Sequence, residues 1–217
     1  MKTIRVTGKG QLKVHPDMTR ITMELEGMDW EYGETLKKSS KETEKMKDLL
    51  VPFGFERTDL KTLRFNVEPI YESYKVKDEY KRRFNGYKFT HVMKVEFDSD
   101  NKRLGKILYA LAGSTLHPEF SLSYTVKDPE AVKNELLGKA VKDAMAKAGV
   151  LSSAAGVKLG DIQSVDYSWG EIDFEYKPMN KLMAEPCIGS GCASYDMDIE
   201  PDDIEVQDTV TVVWEIG

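Results

Sequence analysis

The stretches that decide the fold are GFERTDLKTLRFNV, residues 54–67, and GVKLGDIQSVDYSW, residues 156–169. They align without gaps. Each begins with a glycine, continues with an aspartate followed by an aliphatic residue and then a hydroxyl residue, and ends in alternating apolar positions. A helical pattern precedes each stretch and a strand pattern follows it. The sequence therefore predicts an internal duplication.

The repeated unit is predicted to be strand–helix–strand–strand. A unit with one apolar sheet face and one amphipathic helix needs a partner to complete its core. We therefore expect one α+β domain over residues 1–217, made of two intertwined repeats at about 18–98 and 118–216 with antiparallel sheets and helices packed on one side. The predicted elements are strand 18–28, helix 33–53 and strands 60–76 and 83–98, then strand 118–127, helix 129–155 and strands 161–175 and 203–216.

The strands are predicted from period-two alternation of apolar and polar residues, which is typical of an antiparallel sheet covered on one side. The odd positions from Tyr87 to Phe97 show it best. The N-terminal stretch is expected to form a bent strand or a hairpin around Gly8 and Gly10. Residues 177–203 have no counterpart in the first half of the chain. They are rich in proline, glycine and acidic residues, and this composition predicts a long loop insertion.

Helix boundaries follow from their capping residues. Asp100 is a predicted N-cap of a short helix from Asn101 to Ala112, and Asp128 precedes a proline at the first position of the last helix. Gly54 and Gly156 are expected C-terminal stops. Small side chains recur every four residues in the last helix, which predicts that it lies close to the sheet; they are Ala140, Ala144 and Ala148.

Composition limits the classes of function. The net charge is −6, from 37 acidic and 31 basic residues, and this balance argues against nucleic acid as the main partner because phosphate binding needs a basic face. No apolar run approaches the roughly 20 residues of a membrane span. The first residues carry no apolar signal segment, so a cytoplasmic location is expected, with export after removal of a signal as the alternative.

Short motifs spread along the chain resemble those of SIMPL-domain proteins. Each motif is brief, but their order and spacing together are specific and cover essentially the whole chain. The motifs are Ile4–Gly10, Pro16–Asp17, Gly54, Asp59–Thr62, Pro69–Tyr71, Gly86–Tyr87, Ala155–Gly156, Ile204–Val206 and Val210–Val212.

The resemblance implies a bacterial domain of largely unknown function. Members are mostly periplasmic or surface proteins, one of which assembles into a large hollow oligomer, and others are linked to oxidative-stress defence. The family has no established catalytic residues, so the resemblance implies no catalytic, cofactor-binding or metal-binding residue in this chain.

Two cysteines, Cys187 and Cys192, lie in the predicted loop. They could form a redox pair that closes a small disulfide on oxidation, half of a metal site, or two ordinary loop thiols. A structural zinc site usually needs four ligands, and no histidine stands at ligand spacing to them. The sequence therefore predicts no metal site and leaves the redox pair as a possibility.

The remaining candidate residues have simple structural interpretations. His91 falls on an apolar strand face and is expected to be a satisfied core or interface histidine, because no nucleophile or carboxylate is evident beside it. The acidic run from Asp196 to Glu205 has Pro201 where a calcium loop needs glycine, which predicts a solvated loop. A basic cluster between Lys75 and Arg83 is interleaved with aromatics and is expected to be a solvated hairpin tip.

These observations favour a non-enzymatic structural or interaction protein that self-associates, with a role in stress protection or the cell envelope. A small-ligand binder and a redox or hydrolytic enzyme using the Cys187/Cys192 loop are the alternatives; exposed aromatics would favour binding and buried titratable groups catalysis. A homo-oligomer is expected because strand edges invite pairing. The strands ending at Phe97 and Ile216 are the expected open edges.

Overall fold

The computed structural model describes residues 2–76, 79–167, 172–178 and 199–217. The chain has an α+β fold, as the alternation and capping signals predict. Its elements are β1 Lys2–Val14, β2 Met18–Asp29, α1 Tyr32–Leu50, a 3₁₀ turn Val51–Phe53, β3 Lys61–Val76, β4 Glu79–Asp98, α2 Asn101–Ala112, β5 Glu119–Thr125, α3 Pro129–Ala155, β6 Leu159–Tyr167 and β7 Ile204–Ile216.

The chain divides into two compact units, each built on its own antiparallel sheet. The three-stranded unit has the strand order β1-β7-β6 and the four-stranded unit has the order β3-β4-β2-β5. The three-stranded unit comprises Met1–Asp17, Tyr124–Tyr176 and Pro201–Gly217, and the four-stranded unit comprises Met18–Ser123 and Lys177–Glu200.

In the four-stranded sheet, β2 lies beside β4. In the three-stranded sheet, the strand in the corresponding position is β1, which lies beside β7. The first strand of the second predicted repeat, β5, is instead a neighbour of β2. Gly54 and Gly156 both lie just after a helical segment, in the left-handed region with φ of 83° and 69°, which glycine adopts without steric cost. The internal duplication itself stays a prediction.

The core of the four-stranded unit lies between its sheet and the helices α1 and α2. The alternating apolar residues of β2 and β4 are buried as predicted, and each of these strands contributes one face. The buried side chains are Ile21, Met23 and Leu25 of β2, Phe89, Met93, Val95 and Phe97 of β4, Met46 and Leu50 of α1, and Leu104, Ile107, Leu108 and Leu111 of α2.

Helix α3 packs almost directly on the backbone of β1 in the three-stranded unit. Ala140, Ala144 and Ala148 are fully buried against β1 and β7, as their spacing predicts. A Cβ at Gly8 would lie 2.0 Å from the carbonyl oxygen of Ala140, and one at Gly10 would lie 2.2 Å from that of Leu136. These two glycines serve a close helix approach, and β1 is one continuous strand rather than a hairpin.

The helices leave one strand of each sheet uncovered. Phe65 of β3 and Val165 of β6 point from strands whose described side chains are mostly exposed, and each is 47% exposed. The prediction that the strands ending at Phe97 and Ile216 have open edges is wrong, because β4 and β7 are inner strands with a neighbour on each side. The predicted strand 161–175 is shorter, since β6 ends at Tyr167.

Replacement of Gly8 by alanine is expected to lower the free energy of unfolding by about 1–3 kcal/mol, because the new methyl group overpacks the contact with α3. The matched control is Gly138→Ala, on an exposed part of the same helix with no atom within 4 Å of the new Cβ. That change should raise stability by about 0.5–1 kcal/mol. Urea unfolding measures both, and a Gly8→Ala protein as stable as the parent would contradict the proposed packing.

Candidate functional site

One exposed candidate surface lies on the outer part of the β3–β4 hairpin. Pairing of β2 with β4 ends at Asp29 opposite Tyr87, while β3 and β4 continue to pair with each other beyond that point. Residues 70–76 and 79–86 therefore form a two-stranded arm. Gly86 has a φ of 98°, and a Cβ there would lie 2.6 Å from the carbonyl oxygen of Asp29, so the arm leaves the sheet where only glycine fits.

An aromatic cluster lies at the base of this arm. The ring of Phe84 makes edge contacts with Trp30, Tyr71 and Tyr87, with centroid distances of 6.3, 5.9 and 5.2 Å, and Tyr87 in turn meets Tyr32 at 5.4 Å. These are favourable geometries for ring pairs. Trp30 is nevertheless 63% exposed and Tyr71 49% exposed, so the cluster presents a sizeable apolar surface to solvent.

Arginines cover part of the same surface. The guanidinium of Arg82 lies 5.4 Å from the ring centre of Tyr71, and that of Arg83 lies 5.7 Å from Tyr74. Arg83 also forms an ion pair with Glu72 at 2.6 Å. The basic cluster predicted at this hairpin tip is thus partly neutralised, and its arginines stack on aromatic rings. Surfaces of this kind bind planar ligands or other proteins. Lys77 of that cluster lies outside the described residues.

His91 of β4 occupies a buried polar site on the helix-covered face. Its Nδ1 is 3.0 Å from the hydroxyl of Thr43 on α1, and its Nε2 is 2.9 Å from the hydroxyl of Thr62 on β3. The Thr43 hydroxyl donates to the carbonyl of Ser39, so it must accept from His91. The neutral ring therefore carries its proton on Nδ1, and Thr62 donates to Nε2.

This row of hydroxyl, imidazole and hydroxyl has the order of a catalytic triad but not its electrostatics. A general base must be stabilised when it takes a proton, and a triad uses a carboxylate for that. Here the orienting group is the neutral Thr43, and burial together with the nearby Lys47 charge lowers the pKa of His91. The imidazolium is thus disfavoured, and the geometry supports the predicted structural role for this histidine.

Three further titratable groups of the described residues, Tyr124, Glu96 and His15, differ in their surroundings. Burial raises the pKa of Tyr124 to about 12, which keeps its phenol neutral at physiological pH. Burial raises the pKa of Glu96 on the outer sheet face, but hydrogen bonds from Lys94 and Arg20 outweigh this effect and lower its pKa overall. His15 is exposed and lies 3.3 Å from Asp203.

Some predicted site residues cannot be placed. Cys187 and Cys192 lie outside the described residues, as do Asp196 and Asp198 of the acidic run. Within the described parts of the chain, no three His, Cys, Asp or Glu side chains lie close enough together to hold a metal ion. Over the same residues, no helix combines the length and apolar character required to cross a membrane.

The stability of the protein should fall in acid partly because of His91. Its folded pKa is below the ordinary value of 6.5, so the unfolded chain binds the proton more tightly. The contribution is complete above about pH 6.5 and is lost as the pH falls toward the folded pKa. In a His91→Gln variant, the loss of unfolding free energy between pH 7.5 and pH 5 should be smaller than in the parent. An identical pH dependence of the two proteins would contradict this role.

The aromatic cluster should stabilise the base of the arm through Phe84. Phe84→Ala removes three ring contacts and is expected to cost about 1–2 kcal/mol, less than a core phenylalanine because the ring is partly exposed. Tyr80→Ala is the control, since Tyr80 lies on the same arm at 77% exposure and takes part in none of the ring contacts among the described residues. Chemical unfolding of both variants tests the difference; equal costs would show that the ring contacts contribute nothing.

Comparison with known proteins identifies relatives along most of the chain. The 26 kDa periplasmic immunogenic proteins of Brucella melitensis and Brucella abortus are each 29% identical over 163 residues. The match spans 75% of this chain and 65% of each Brucella protein. An uncharacterized protein YggE of Edwardsiella ictaluri is 22% identical over 211 residues, which are 97% of this chain and 85% of that protein.

The names of the Brucella relatives place those proteins in the periplasm. The expectation of a cytoplasmic location, which was based on the first residues alone, finds no support among these relatives. The sequence profile of the SIMPL family, described as a protein of unknown function (DUF541), matches residues 4–214. Because this match covers nearly all of its length, the chain belongs to the SIMPL family.

Proposed function

We propose that this protein is a non-enzymatic structural or interaction protein that works by self-association. The observation that carries the proposal is the exposure of two apolar strands at sheet edges. Strand β3 presents Leu63 and Phe65, and strand β6 presents Ile162, Val165 and Tyr167, all between 46% and 53% exposed. An edge strand with exposed apolar side chains offers both unpaired backbone groups and apolar area to another chain.

The chemistry of the described residues supports a binding role more than a catalytic one. The buried histidine has both ring nitrogens occupied by hydroxyls, and its surroundings disfavour the charged imidazole. Several charged groups of the outer sheet face form ion pairs, for example Lys88 with Glu26 at 2.5 Å. A reactive site would instead combine an unsatisfied polar group with a perturbed pKa and a cleft.

A periplasmic location is part of the proposal. It rests on the two Brucella relatives that are named as periplasmic proteins and on the alternative of export that the sequence left open. A role in the cell envelope or in stress protection is part of the same proposal. The net charge of −6 is compatible with a freely dissolved protein that binds other copies of itself through local surfaces.

Ligand binding at the aromatic cluster is the second candidate function. The exposed rings of Trp30, Tyr71 and Phe84, with Arg82 stacked beside them, form the type of surface that binds planar or apolar groups. The exposure of Trp30 makes its fluorescence a direct reporter of such binding. This candidate does not exclude self-association, because the cluster lies at the base of the arm and not on β6.

Self-association predicts a mass larger than one chain in solution. Light scattering coupled to size exclusion at micromolar concentration is expected to give an integral multiple of 24.6 kDa. Phe65→Ser with Val165→Ser, which removes one exposed apolar side chain from each open edge strand, should reduce the mass without loss of folded structure, because neither side chain belongs to a buried cluster. A parent protein with the mass of a single chain would exclude the proposal.

A further inference from the structure

The arm formed by residues 70–76 and 79–86 has two faces of different character. Side chains alternate between the faces of a strand pair, and residues directly opposite each other share a face. One face of the arm therefore carries Tyr71, Ser73 and Lys75 of β3 and Tyr80, Arg82 and Phe84 of β4. We name it the aromatic face. Within the described part of the arm, it holds three rings and two cations and no carboxylate.

The opposite face of the arm carries the carboxylate that the aromatic face lacks. Glu72 lies there and pairs with Arg83 at 2.6 Å, and the guanidinium of Arg83 lies 5.7 Å from the ring centre of Tyr74. On the aromatic face, the guanidinium of Arg82 lies 5.4 Å from the ring centre of Tyr71. Rings and cations without a carboxylate are thus combined on one side of the described arm.

The aromatic face continues into the ring cluster at the base of the arm. Phe84 contacts Trp30 at 6.3 Å and Tyr87 at 5.2 Å. Tyr87 in turn contacts Tyr32, at the start of α1, at 5.4 Å. Five of the rings along this surface are exposed to solvent, namely Trp30, Tyr32, Tyr71, Tyr80 and Phe84. The exposed aromatic surface therefore extends from the beginning of α1 along one side of the arm.

Aromatic and basic side chains in this combination are typical of the boundary between lipid headgroups and acyl chains. Tryptophan and tyrosine settle there because each has an apolar body and a polar end. Lysine and arginine place an apolar stem along the same layer and hold their charge at the phosphates. Anionic lipids add an electrostatic attraction for each basic residue near the surface. The aromatic face presents all of these groups together.

The arm also holds its cations away from acidic groups of the sheet. Residues 70–86 contain five basic and three acidic side chains, whereas the whole chain has a net charge of −6. The β3 side of the arm, residues 70–76, extends over roughly 20 Å at about 3.3 Å per residue. Charges are screened over about 8 Å at physiological ionic strength. Asp29 and Glu31 lie at the base of the arm, so they repel an anionic surface at its outer part only weakly.

We propose that the aromatic face docks on the surface of a membrane that contains anionic phospholipids. Its rings and Trp30 lie at the level of the headgroups, and Lys75 and Arg82 lie at the phosphates. The backbone groups at the open edges of a two-stranded arm need water, so the contact is interfacial and reversible. This inference goes beyond the proposed self-association and does not rest on it.

A single-stranded nucleic acid is the other polyanion that aromatic and basic side chains bind together. Its bases stack on open ring faces, but guanidinium groups lie over the rings of Tyr71 and Tyr74. The rings around Phe84 contact one another edge to face and form one compact apolar surface rather than separate platforms. This geometry favours a lipid surface over stacked bases.

Vesicle binding tests the proposal with the full chain. The probes are vesicles of phosphatidylcholine alone and vesicles of phosphatidylcholine and phosphatidylglycerol in equal parts, and flotation measures the bound fraction. The parent is expected to float with the anionic vesicles, to bind the neutral ones several-fold more weakly, and to be released by salt because salt screens the attraction. A parent that does not bind the anionic vesicles at low salt would overturn the proposal.

Charge removal locates the contact on the aromatic face. Lys75→Gln with Arg82→Gln should weaken binding roughly thirtyfold, because each basic side chain near an anionic surface contributes about fivefold in affinity. The matched control is Lys102→Gln with Lys106→Gln, which makes the same change in net charge at exposed positions of α2. The control should bind like the parent. An equal loss in both variants would reveal a general charge effect and contradict the docking face.

Ring removal provides a second comparison. Tyr80→Ser deletes an exposed ring that takes part in none of the ring contacts among the described residues, so the fold should be retained while binding weakens several-fold. Tyr109→Ser deletes an exposed ring of α2 and should leave binding unchanged. If these two variants bind equally well, the rings of the arm do not contact the membrane and the proposal is wrong.

Trp30 reports the contact without any change to the arm. Anionic vesicles should shift its emission to shorter wavelength, and lipids that carry a nitroxide near the headgroup should quench it. A Trp30→Phe variant separates these signals from those of the other tryptophans, among them the buried Trp214. A bound parent that shows neither signal would place the contact elsewhere. Binding of a single-stranded oligonucleotide in place of vesicles would also overturn the proposal and identify nucleic acid as the partner.

The mass of the parent in solution decides self-association separately from membrane docking. A single-chain parent that binds anionic vesicles through the aromatic face would support docking and exclude the proposed self-association. An oligomeric parent that does not bind them would exclude docking and leave self-association standing.

Discussion

One α-helix can cover about two strands of a sheet, and this limit shapes both units of the protein. A helix with its side chains is about 10–12 Å wide, and neighbouring strands lie about 4.8 Å apart. Helix α3 lies on β1 and β7, and α1 lies on β2 and β4. Strand β6 in the three-stranded sheet and strand β3 in the four-stranded sheet then have no helix above them. The exposed apolar residues on these strands follow from this geometry and not from weak packing elsewhere.

Much of this fold could be predicted because its signals are local. The Asp100 and Asp128 side chains accept hydrogen bonds from the first turns of α2 and α3, and the buried alanines of α3 follow from their spacing. Burial of a strand face is not a local property. Phe65 and Phe89 alternate with polar neighbours in the same way, yet Phe89 is fully buried and Phe65 is 47% exposed, because strand order decides which of them lies under a helix.

The candidate sites depend even more on long-range pairing. Thr43 and Thr62 become the partners of His91 only when α1 and β3 are placed on either side of β4, and a hydroxyl residue is too common to mark such a pair in a sequence. The aromatic cluster likewise joins Trp30 to Phe84 across the end of β2. The chain pattern around Arg82 and Arg83 predicted a hairpin tip, but the ring surface beneath it depends on the register of three strands.

The pairing of β1 with β7 also determines the order in which the two sheets can form. This ladder joins Lys2 to Ile216, whereas all strands of the four-stranded sheet lie between Met18 and Thr125. Contacts between distant residues require closure of a long loop and form slowly. During synthesis, the four-stranded sheet can assemble while β1 is still without its partner. Until the last strand emerges, β1 has no β7 to pair with, so the three-stranded sheet is completed only when the whole chain is present.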